Sequence, residues 1–235
     1  MTQLSEQQQE RYVRNLLVED FTPEQQEKLL NGRVLVIGAG GLGSAVLHYL
    51  AAAGIGRLGI ADSDIVSLSN LQRQVLYTEK DLGHPKAECA ARKVKLINSD
   101  TNTDVYNSYI TVENASQIIK EYDLTIDCSD NYPTRYLVDK ICREFSIPFI
   151  YGSAEQTQGQ VSVFNYGQAG SYSDLFPQIP RTQKSPVGVL SPLPGIVGSI
   201  QALEAIKLLT GYGSPLAGKL LTIDGKTNRF TLFDL

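Results

Sequence analysis

The sequence has little positive charge, few cysteines and no long apolar run, and each shortage excludes a class of protein. Its 21 lysines and arginines against 25 acidic residues leave a net charge of −4, whereas proteins that bind nucleic acid usually carry a basic patch. Glycine or charge interrupts every apolar run before it reaches the length of a membrane span. The polar N-terminus resembles neither a signal peptide nor a transit peptide. We therefore expect a cytoplasmic protein that binds neither nucleic acid nor a membrane.

Cysteine usage points to the same compartment. The chain has three cysteines, an odd number, without paired C-x-x-C spacing. This usage is typical of free thiols in a reducing cytoplasm. One lies in a strand-like run and two lie in helical patterns, so each is predicted to be a small buried hydrophobic residue: Cys128, Cys89 and Cys142.

Length and composition predict one α/β domain. The chain has 235 residues, of which 42% are hydrophobic and 20% are charged, so it can bury a sizeable core. Strand-like and helical segments alternate along most of it. We predict a single domain over residues 1–235, with a Rossmann-like, mostly parallel sheet flanked by helices and antiparallel strands toward the C-terminus.

A glycine fingerprint follows the first predicted strand. Val34–Ile37 is the short β-branched and aliphatic run that suits a buried parallel strand. The next residues fit G-x-G-x-x-G, with glycines at Gly38, Gly40 and Gly43. Such glycines allow a tight turn, a close approach of phosphate to the backbone, and packing of the next helix on the strand. Asp62 ends the second predicted strand, where these folds place an acid against a ribose hydroxyl. The stretch therefore predicts a nucleotide pocket.

The residues after Asp62 favour a triphosphate over a dinucleotide. The polar loop Ser69–Gln74 follows, and Lys86 lies near the N-terminus of a helix predicted over residues 81–97. A lysine is disfavoured there by the helix dipole, which hints at a nearby anion. Cations that converge on a glycine loop suit attack on an α-phosphorus, since that chemistry depends on positioning and charge neutralisation. A nicotinamide-dependent oxidoreductase shares the fingerprint and is the alternative.

Two further residues have more than one interpretation. Arg14 lies on a helix predicted over residues 5–17, where most arginines are merely solvated. Asp130 follows a predicted strand, so it should face the same crevice as the glycine loop, because ligands bind outside the carboxyl ends of parallel strands. Asp130 serves equally well as the N-cap of the helix that begins near Pro133.

The last third of the sequence predicts a loop, a buried helix and a hairpin. Residues 167–191 are rich in Gly, Ser, Pro and Gln without periodicity, which predicts a long mobile loop. The apolar run Pro194–Leu209 predicts a helix buried against the sheet or a partner subunit. Leu220–Asp224 and Arg229–Phe233 predict a C-terminal hairpin.

Nine short motifs cover nearly the whole chain. In order they are Arg11-Tyr-x-Arg14, Gly38-Ala-Gly-Gly-Leu-Gly43, Asp62-x-Asp64, Ser69-Asn-Leu-Gln-Arg-Gln74, Gly83-x-Pro-Lys86, Asp127-Cys-Ser-Asp-Asn131, Gly159-Gln-Val161, Pro194-Gly-Ile-Val-Gly-Ser199 and Gln201-Ala-x-Glu-Ala-Ile-Lys207. With these motifs the chain resembles the MoeB/ThiF/HesA family, bacterial relatives of the ubiquitin-activating enzymes. The hexapeptide at 69–74 is far more specific than the glycine fingerprint.

The resemblance implies an enzyme and its substrates. Members adenylate the C-terminal glycine carboxylate of a small ubiquitin-like sulfur-carrier protein with ATP and Mg²⁺, as homodimers, in thiamine, molybdopterin or related sulfur-transfer pathways. The implied catalytic residues are Arg14, Asn70, Arg73, Lys86 and Asp130. Arg14 would reach in from the other protomer, and Asp130 would hold Mg²⁺. The implied nucleotide-binding residues are Gly38, Gly40, Gly41, Asp62, Asp64, Ser69, Asn70, Arg73, Lys86, Asp130 and Asn131.

Two departures from the family pattern matter. Relatives often carry two C-x-x-C pairs that form a structural zinc site, but here Ser171–Asp174 replaces the first and the second is absent, so no zinc is predicted. Many relatives also have a cysteine in the mobile loop for a covalent link to the carrier. The corresponding residues here are Arg181–Pro186, so we expect the adenylate to pass to a separate sulfur donor enzyme. A non-catalytic scaffold that binds a ubiquitin-like protein, or the same adenylation of a short peptide or another carboxylate, stays open.

Overall fold

The structure is a computed structural model that describes residues 4–178 and 187–235. The strands are β1 (Arg33–Ile37), β2 (Arg57–Ala61), β3 (Asn102–Tyr106), β4 (Leu124–Asp127), β5 (Phe149–Glu155), β6 (Gln158–Phe164), β7 (Lys219–Asp224) and β8 (Arg229–Asp234). The helices are α1 (Glu6–Arg11), α2 (Val13–Leu16), α3 (Pro23–Asn31), α4 (Gly41–Ala53), α5 (Lys86–Ile97), α6 (Ala115–Ile119), α7 (Tyr132–Glu144), α8 (Tyr172–Leu175) and α9 (Pro192–Thr210).

The strands form one sheet in the order β3-β2-β1-β4-β5-β6-β7-β8. Neighbours from β3 to β5 pair in parallel, and those from β5 to β8 pair antiparallel. The predicted Rossmann-like sheet with antiparallel C-terminal strands is therefore confirmed, as is the C-terminal hairpin. The strand order reverses between β1 and β4, which creates the crevice where ligands of such sheets bind.

Strand β1 is buried on both faces, as its sequence predicts. Val34 and Val36 belong to one core cluster, which includes residues of α4, α5 and α9. Leu35 and Ile37 belong to the other cluster, with residues of α6 and α7. Successive side chains of a strand point to opposite faces, so this unbroken apolar run fills both layers.

Helix α9, with 19 residues, is the longest helix in the described part of the chain. By length and composition alone it could cross a membrane, but half of its most apolar stretch is buried within the protein. Leu193, Val197 and Ala202 lie in the core, and the helix packs along α4. The predicted buried helix is confirmed and begins two residues earlier than expected.

The helix predicted over residues 5–17 is interrupted at Tyr12. Helix α1 ends at Arg11 and α2 begins at Val13. The Tyr12 ring is buried against Gly54, and its hydroxyl accepts a hydrogen bond from Nδ2 of Asn98 (2.9 Å). The prediction of one continuous helix is therefore wrong at Tyr12, whose side chain packs against residues distant in the sequence.

The helix predicted over residues 81–97 begins later, at Lys86. Asp81 instead closes a short 3₁₀ turn, where its carboxylate accepts hydrogen bonds from the backbone N–H (2.8 Å) and hydroxyl (2.9 Å) of Thr78. Ion pairs with Lys93 and Arg92 hold the same carboxylate. Lys86 is therefore the first residue of α5, closer to the helix N-terminus than the sequence indicated.

The predicted loop over residues 167–191 contains ordered elements. Residues 172–175 form α8, and Val189 forms a parallel bridge with Gln156. The prediction of a long loop is therefore wrong for residues 172–175, which are helical. Arg181–Pro186, where relatives carry the loop cysteine, lie outside the described residues, and the predicted mobility is not tested.

Candidate active site

A cleft of about 780 Å³ lies at the carboxyl ends of β1 and β4. Most of the predicted site residues line it: Gly38, Gly40, Gly41, Asp62, Asp64, Arg73, Lys86, Asp130 and Asn131. Three others, Arg14, Ser69 and Asn70, are not among its lining residues. The expectation that Asp130 and the glycine loop face one crevice is confirmed.

The glycine loop closes a tight turn between β1 and α4. Gly38 has a φ of +94°, and a Cβ there would lie 2.5 Å from the carbonyl oxygen of Cys128, so only glycine fits. Gly40 is the N-cap of α4 and no side chain caps the helix. The N–H groups of the first turn of α4 are therefore available to an anion in the cleft.

Asp62 fixes this loop from the end of β2. Its carboxylate accepts hydrogen bonds from the backbone N–H groups of Ala39 and Asp64, each at 2.8 Å. Burial raises the pKa of the Asp62 carboxyl above its usual value. The hydroxyl of Tyr77 donates to the carbonyl oxygen of Ala39 (2.7 Å). Asp62 thus holds the N–H of Ala39, and Tyr77 holds its carbonyl oxygen. No role for Tyr77 is predicted from the sequence.

Lys86 presents a nearly buried cation to the cleft. Its side chain is 6% exposed, and Nζ lies 2.8 Å from Oδ2 of Asp64, which is 58% exposed. The Lys86 N–H also donates to the Asp64 carbonyl oxygen (2.9 Å). A lysine at a helix N-terminus is opposed by the dipole, and Asp64 offsets that cost in this structure.

The hexapeptide 69–74 forms the turn that carries Arg73. Oδ1 of Asn70 accepts from the Ser67 N–H (3.1 Å), which caps the turn. Nη1 of Arg73 donates to the Ser69 carbonyl oxygen (3.1 Å). Ser69 and Asn70 therefore shape the turn, while Arg73 lines the cleft. Gln74, missed from sequence, also lines the cleft, and its buried Oε1 has no partner among the described residues.

Asn131, and not Asp130, is the N-cap of α7. Its Oδ1 accepts a hydrogen bond from the Thr134 N–H (2.9 Å), and the helix begins at Tyr132. The N-cap alternative for Asp130 is therefore wrong. Because Asn131 takes that role, the Asp130 side chain is exposed on the cleft.

Asp127 and Arg135 form a buried ion pair beneath this turn, with Nε of Arg135 2.7 Å from Oδ2 of Asp127. Neither residue has a role that is predicted from the sequence. The two side chains meet because α7 packs against β4. Their separation of eight residues in the sequence does not by itself predict an ion pair.

Two predicted features concern metal ions. The described residues hold no group of three or more His, Cys, Asp or Glu side chains arranged to bind a metal. Mg²⁺ on a nucleotide needs only one or two carboxylates, together with phosphates and water, so the exposed Asp130 fits that use.

At the position of the absent first cysteine pair, the Ser171 hydroxyl caps α8 by accepting from the Asp174 N–H (3.2 Å). The prediction of no zinc stays a prediction.

A sequence model of the ThiF family matches residues 12–235. The chain belongs to the ThiF family. The resemblance drawn from the nine motifs is thereby confirmed.

Curated relatives of this ThiF-family chain are named as adenylyltransferases. It is 44% identical over 230 residues to a probable molybdopterin-synthase adenylyltransferase of Porphyra purpurea, a match that covers 96% of this chain and 60% of that protein. It is 45% identical over 224 residues to a sulfur carrier protein adenylyltransferase of Thermus thermophilus, covering 92% and 83%. It is 46% identical to the adenylyltransferase and sulfurtransferase MOCS3 of Caenorhabditis briggsae, covering 93% and 56%. The chain thus spans about three fifths of the Porphyra and Caenorhabditis proteins.

Solved structures share the fold. PaaA superposes with a TM-score of 0.86 at 24% identity, covering all of this chain and 75% of PaaA. Escherichia coli MccB in complex with MccA-N7isoASN superposes with a TM-score of 0.87 at 24% identity, covering 96% and 71%. At this identity the likeness supports the ThiF-type fold and nothing finer.

Proposed function

We propose that this chain is an adenylyltransferase that uses ATP and Mg²⁺ to activate the C-terminal glycine carboxylate of a small ubiquitin-like sulfur-carrier protein. The observation that carries the proposal is the cleft in which the glycine loop, Asp62, Arg73, Lys86 and Asp130 meet. The names of the curated relatives support the same activity.

The cleft accounts for binding of the nucleotide. The triphosphate lies along Gly40 and Gly41, where the N-terminus of α4 offers backbone donors and the positive end of its dipole. Asp62, at the end of the neighbouring strand, holds the ribose hydroxyls with the acceptor capacity that its two backbone hydrogen bonds leave. Arg73 and Lys86 then lie on the phosphate side.

The chemical step is attack of the carrier carboxylate on the α-phosphorus. A bond forms between a carboxylate oxygen and that phosphorus, the bond to the bridging oxygen breaks, and pyrophosphate leaves with the electron pair. The products are an acyl adenylate and pyrophosphate. Lys86 and Arg73 reduce the repulsion between the two anions, and one unit-charge pair at 4 Å is worth about 4 kcal/mol at an effective dielectric near 20. Asp130 would hold Mg²⁺, and the ion would supply further neutralisation of the phosphates.

Arg14 requires a second protomer for its proposed role. It is exposed on α2 and does not line the cleft of its own chain. We propose that a homodimer places it at the partner's phosphates. A single adenylation domain over residues 1–235, transfer to a separate sulfur donor enzyme, a cytoplasmic location and the absence of zinc belong to the same proposal.

The converging cations favour this proposal over a nicotinamide-dependent oxidoreductase, which needs no such cluster on the phosphate side. Thermal unfolding with MgATP or NAD compares the two directly. We expect MgATP to raise the Tm and NAD to leave it unchanged. A Tm raised by NAD alone would contradict the proposal.

Pyrophosphate exchange into ATP tests the reaction itself. We expect exchange when a carrier ending in Gly-Gly is present, and no exchange with a carrier that lacks its last glycine or with the Asp130→Ala chain. Binding of MgATP and carrier without exchange would identify a scaffold. Exchange that depends on a short peptide instead of the carrier would keep the chemistry and replace the substrate.

A further inference from the structure

The turn that carries Asp130 rests on the buried pair of Asp127 and Arg135. The side chain of Asp127 is fully buried and that of Arg135 is 7% exposed. Asp127 is the last residue of β4, and Arg135 lies in the first turns of α7. Asp130 lies between them in the chain, so the pair joins the two elements that flank the turn.

Both members of the pair bind Ser129, the residue before Asp130. Oδ1 of Asp127 accepts from the Ser129 N–H (3.1 Å) and from its hydroxyl (2.5 Å). Nη2 of Arg135 donates to the Ser129 carbonyl oxygen (3.0 Å). The peptide groups on either side of Ser129 are therefore both fixed. The next residue, Asp130, leaves this fixed segment with its carboxylate toward the cleft.

The guanidinium is itself restrained on several sides. It lies 4.9 Å from the ring centroid of Tyr151, 5.7 Å from that of Tyr172 and 5.8 Å from that of Tyr132, distances at which cations and aromatic faces attract. Asp139, one helical turn further along α7, accepts from the Tyr172 N–H (2.9 Å) and so fixes the backbone that carries that ring. The guanidinium is therefore restrained by its ion pair and by three aromatic rings.

We propose that Asp127 and Arg135 are positioning residues that set where the Asp130 carboxylate meets the Mg²⁺ of the bound nucleotide. The inference rests on the proposed function, because it takes the metal role of Asp130 from there. A buried guanidinium needs acceptors for the donors that its carboxylate partner does not satisfy, and Nη2 of Arg135 finds them in the carbonyl oxygens of Ser129 (3.0 Å) and of Gly152 in β5 (3.5 Å). Together with the two hydrogen bonds from Ser129 to Asp127, the pair makes three hydrogen bonds to the residue before Asp130, which is the connection that a positioning role requires.

Arg135→Lys separates the two roles. An ammonium keeps the charge beside Asp127 but lacks the planar fork that also reaches the Ser129 carbonyl. Arg143→Lys is the matched control, since Arg143 lies on the same helix and is 64% exposed. Ser129→Ala is a milder second variant, which removes one hydroxyl donor and leaves the ion pair intact.

The readout is ATP binding measured calorimetrically across a Mg²⁺ series and in EDTA. Replacing residues that orient a metal ligand typically changes metal affinity by about 10- to 100-fold. We expect Arg135→Lys to raise the Mg²⁺ concentration needed for half-maximal enhancement of ATP binding by about tenfold or more. Affinity in EDTA should stay close to that of the unmodified chain. Ser129→Ala should shift the Mg²⁺ dependence in the same direction by less, and Arg143→Lys should not shift it.

Three results would overturn the inference: an unchanged Mg²⁺ dependence in Arg135→Lys and Ser129→Ala, an equal shift in Arg143→Lys, or loss of ATP affinity in EDTA along with the Mg²⁺ effect. If Arg135→Lys fails to fold, the Mg²⁺ dependence of ATP binding in Ser129→Ala decides: a shift supports the inference, and an unchanged dependence overturns it. Failure of the proposed function appears separately, as an unmodified chain that does not bind ATP at any Mg²⁺ concentration.

Discussion

Replacing Lys86 by methionine should remove most of the adenylation activity and leave the fold nearly intact. Methionine is unbranched and adaptable, so it fills the nearly buried path of the lysine stem. What is lost is one positive charge near the phosphates. At about 4 Å and an effective dielectric near 20, that charge is worth about 4 kcal/mol, which corresponds to a loss of roughly 10³-fold in kcat/KM.

The cost in stability should be small. The ion-pair partner of Lys86 is Asp64, which is 58% exposed, and pairs with a solvated member contribute about 0–1 kcal/mol. Lys93→Met is the matched control, because Lys93 lies on the same helix and pairs with Asp81 (3.2 Å), away from the cleft. It should lose stability at least as much as Lys86→Met and keep its activity.

The double variant Lys86→Met, Asp64→Asn tests the origin of the effect. If Lys86 only neutralises Asp64, removing both charges should restore activity; if Lys86 contacts the phosphates, the loss should persist. Pyrophosphate exchange gives kcat/KM, and urea unfolding gives the stability. Activity within tenfold of the unmodified chain in Lys86→Met, or recovery in the double variant, would refute the reasoning.

Four further predictions follow from the geometry. Gly41→Ala places a Cβ 2.8 Å from Cβ of Pro194, so urea unfolding should show a loss of about 1–3 kcal/mol and calorimetry a weaker affinity for ATP. Asn131→Ala removes the cap of α7 and should cost about 1 kcal/mol, read as a lower Tm, whereas Asn131→Asp should not. Mixing Arg14→Ala chains with Asp130→Ala chains should restore about a quarter of the sites in randomly exchanged dimers, whereas no recovery would place Arg14 outside the partner's cleft. A thiol reagent at pH 7.5 should react slowly with the folded chain and rapidly with all three cysteines in denaturant. Burial raises the pKa of Cys142 to about 12, and it also raises the pKa of the other two, Cys89 and Cys128.

Local motifs allowed much of the cleft to be predicted from the sequence. The turn at Gly38, the acid at Asp62 and the lysine at Lys86 follow from spacing along two successive strand–loop–helix units, β1 to α4 and β2 to α5, and the structure brings them together. From the sequence, Asp130 is equally well interpreted as a ligand-binding residue and as the N-cap of α7. In the structure the N-cap is Asn131.

What the sequence could not predict depends on contacts between distant segments. Tyr77 holds Ala39 across 38 residues, and Tyr12, where the first helix is interrupted, accepts a hydrogen bond from Asn98, 86 residues away. Arg135 has the pattern of any buried helix residue, and only the packing of α7 on β4 makes it an ion-pair partner. The periodicity of apolar residues describes one segment at a time. It gives no information about which residues of distant segments contact each other.

The contact of α9 with the glycine loop has a consequence for the growing polypeptide. Pro194 lines the cleft against Gly41, and the Gln201 amide donates to the carbonyl oxygen of Asp127 (2.7 Å). Both the glycine loop and the end of β4 therefore lack their contacts with α9 until translation has passed residue 201. A ribosome-bound fragment that contains every residue of the fingerprint but ends before α9 should still fail to retain ATP, so the pocket becomes competent only after α9 has been synthesised.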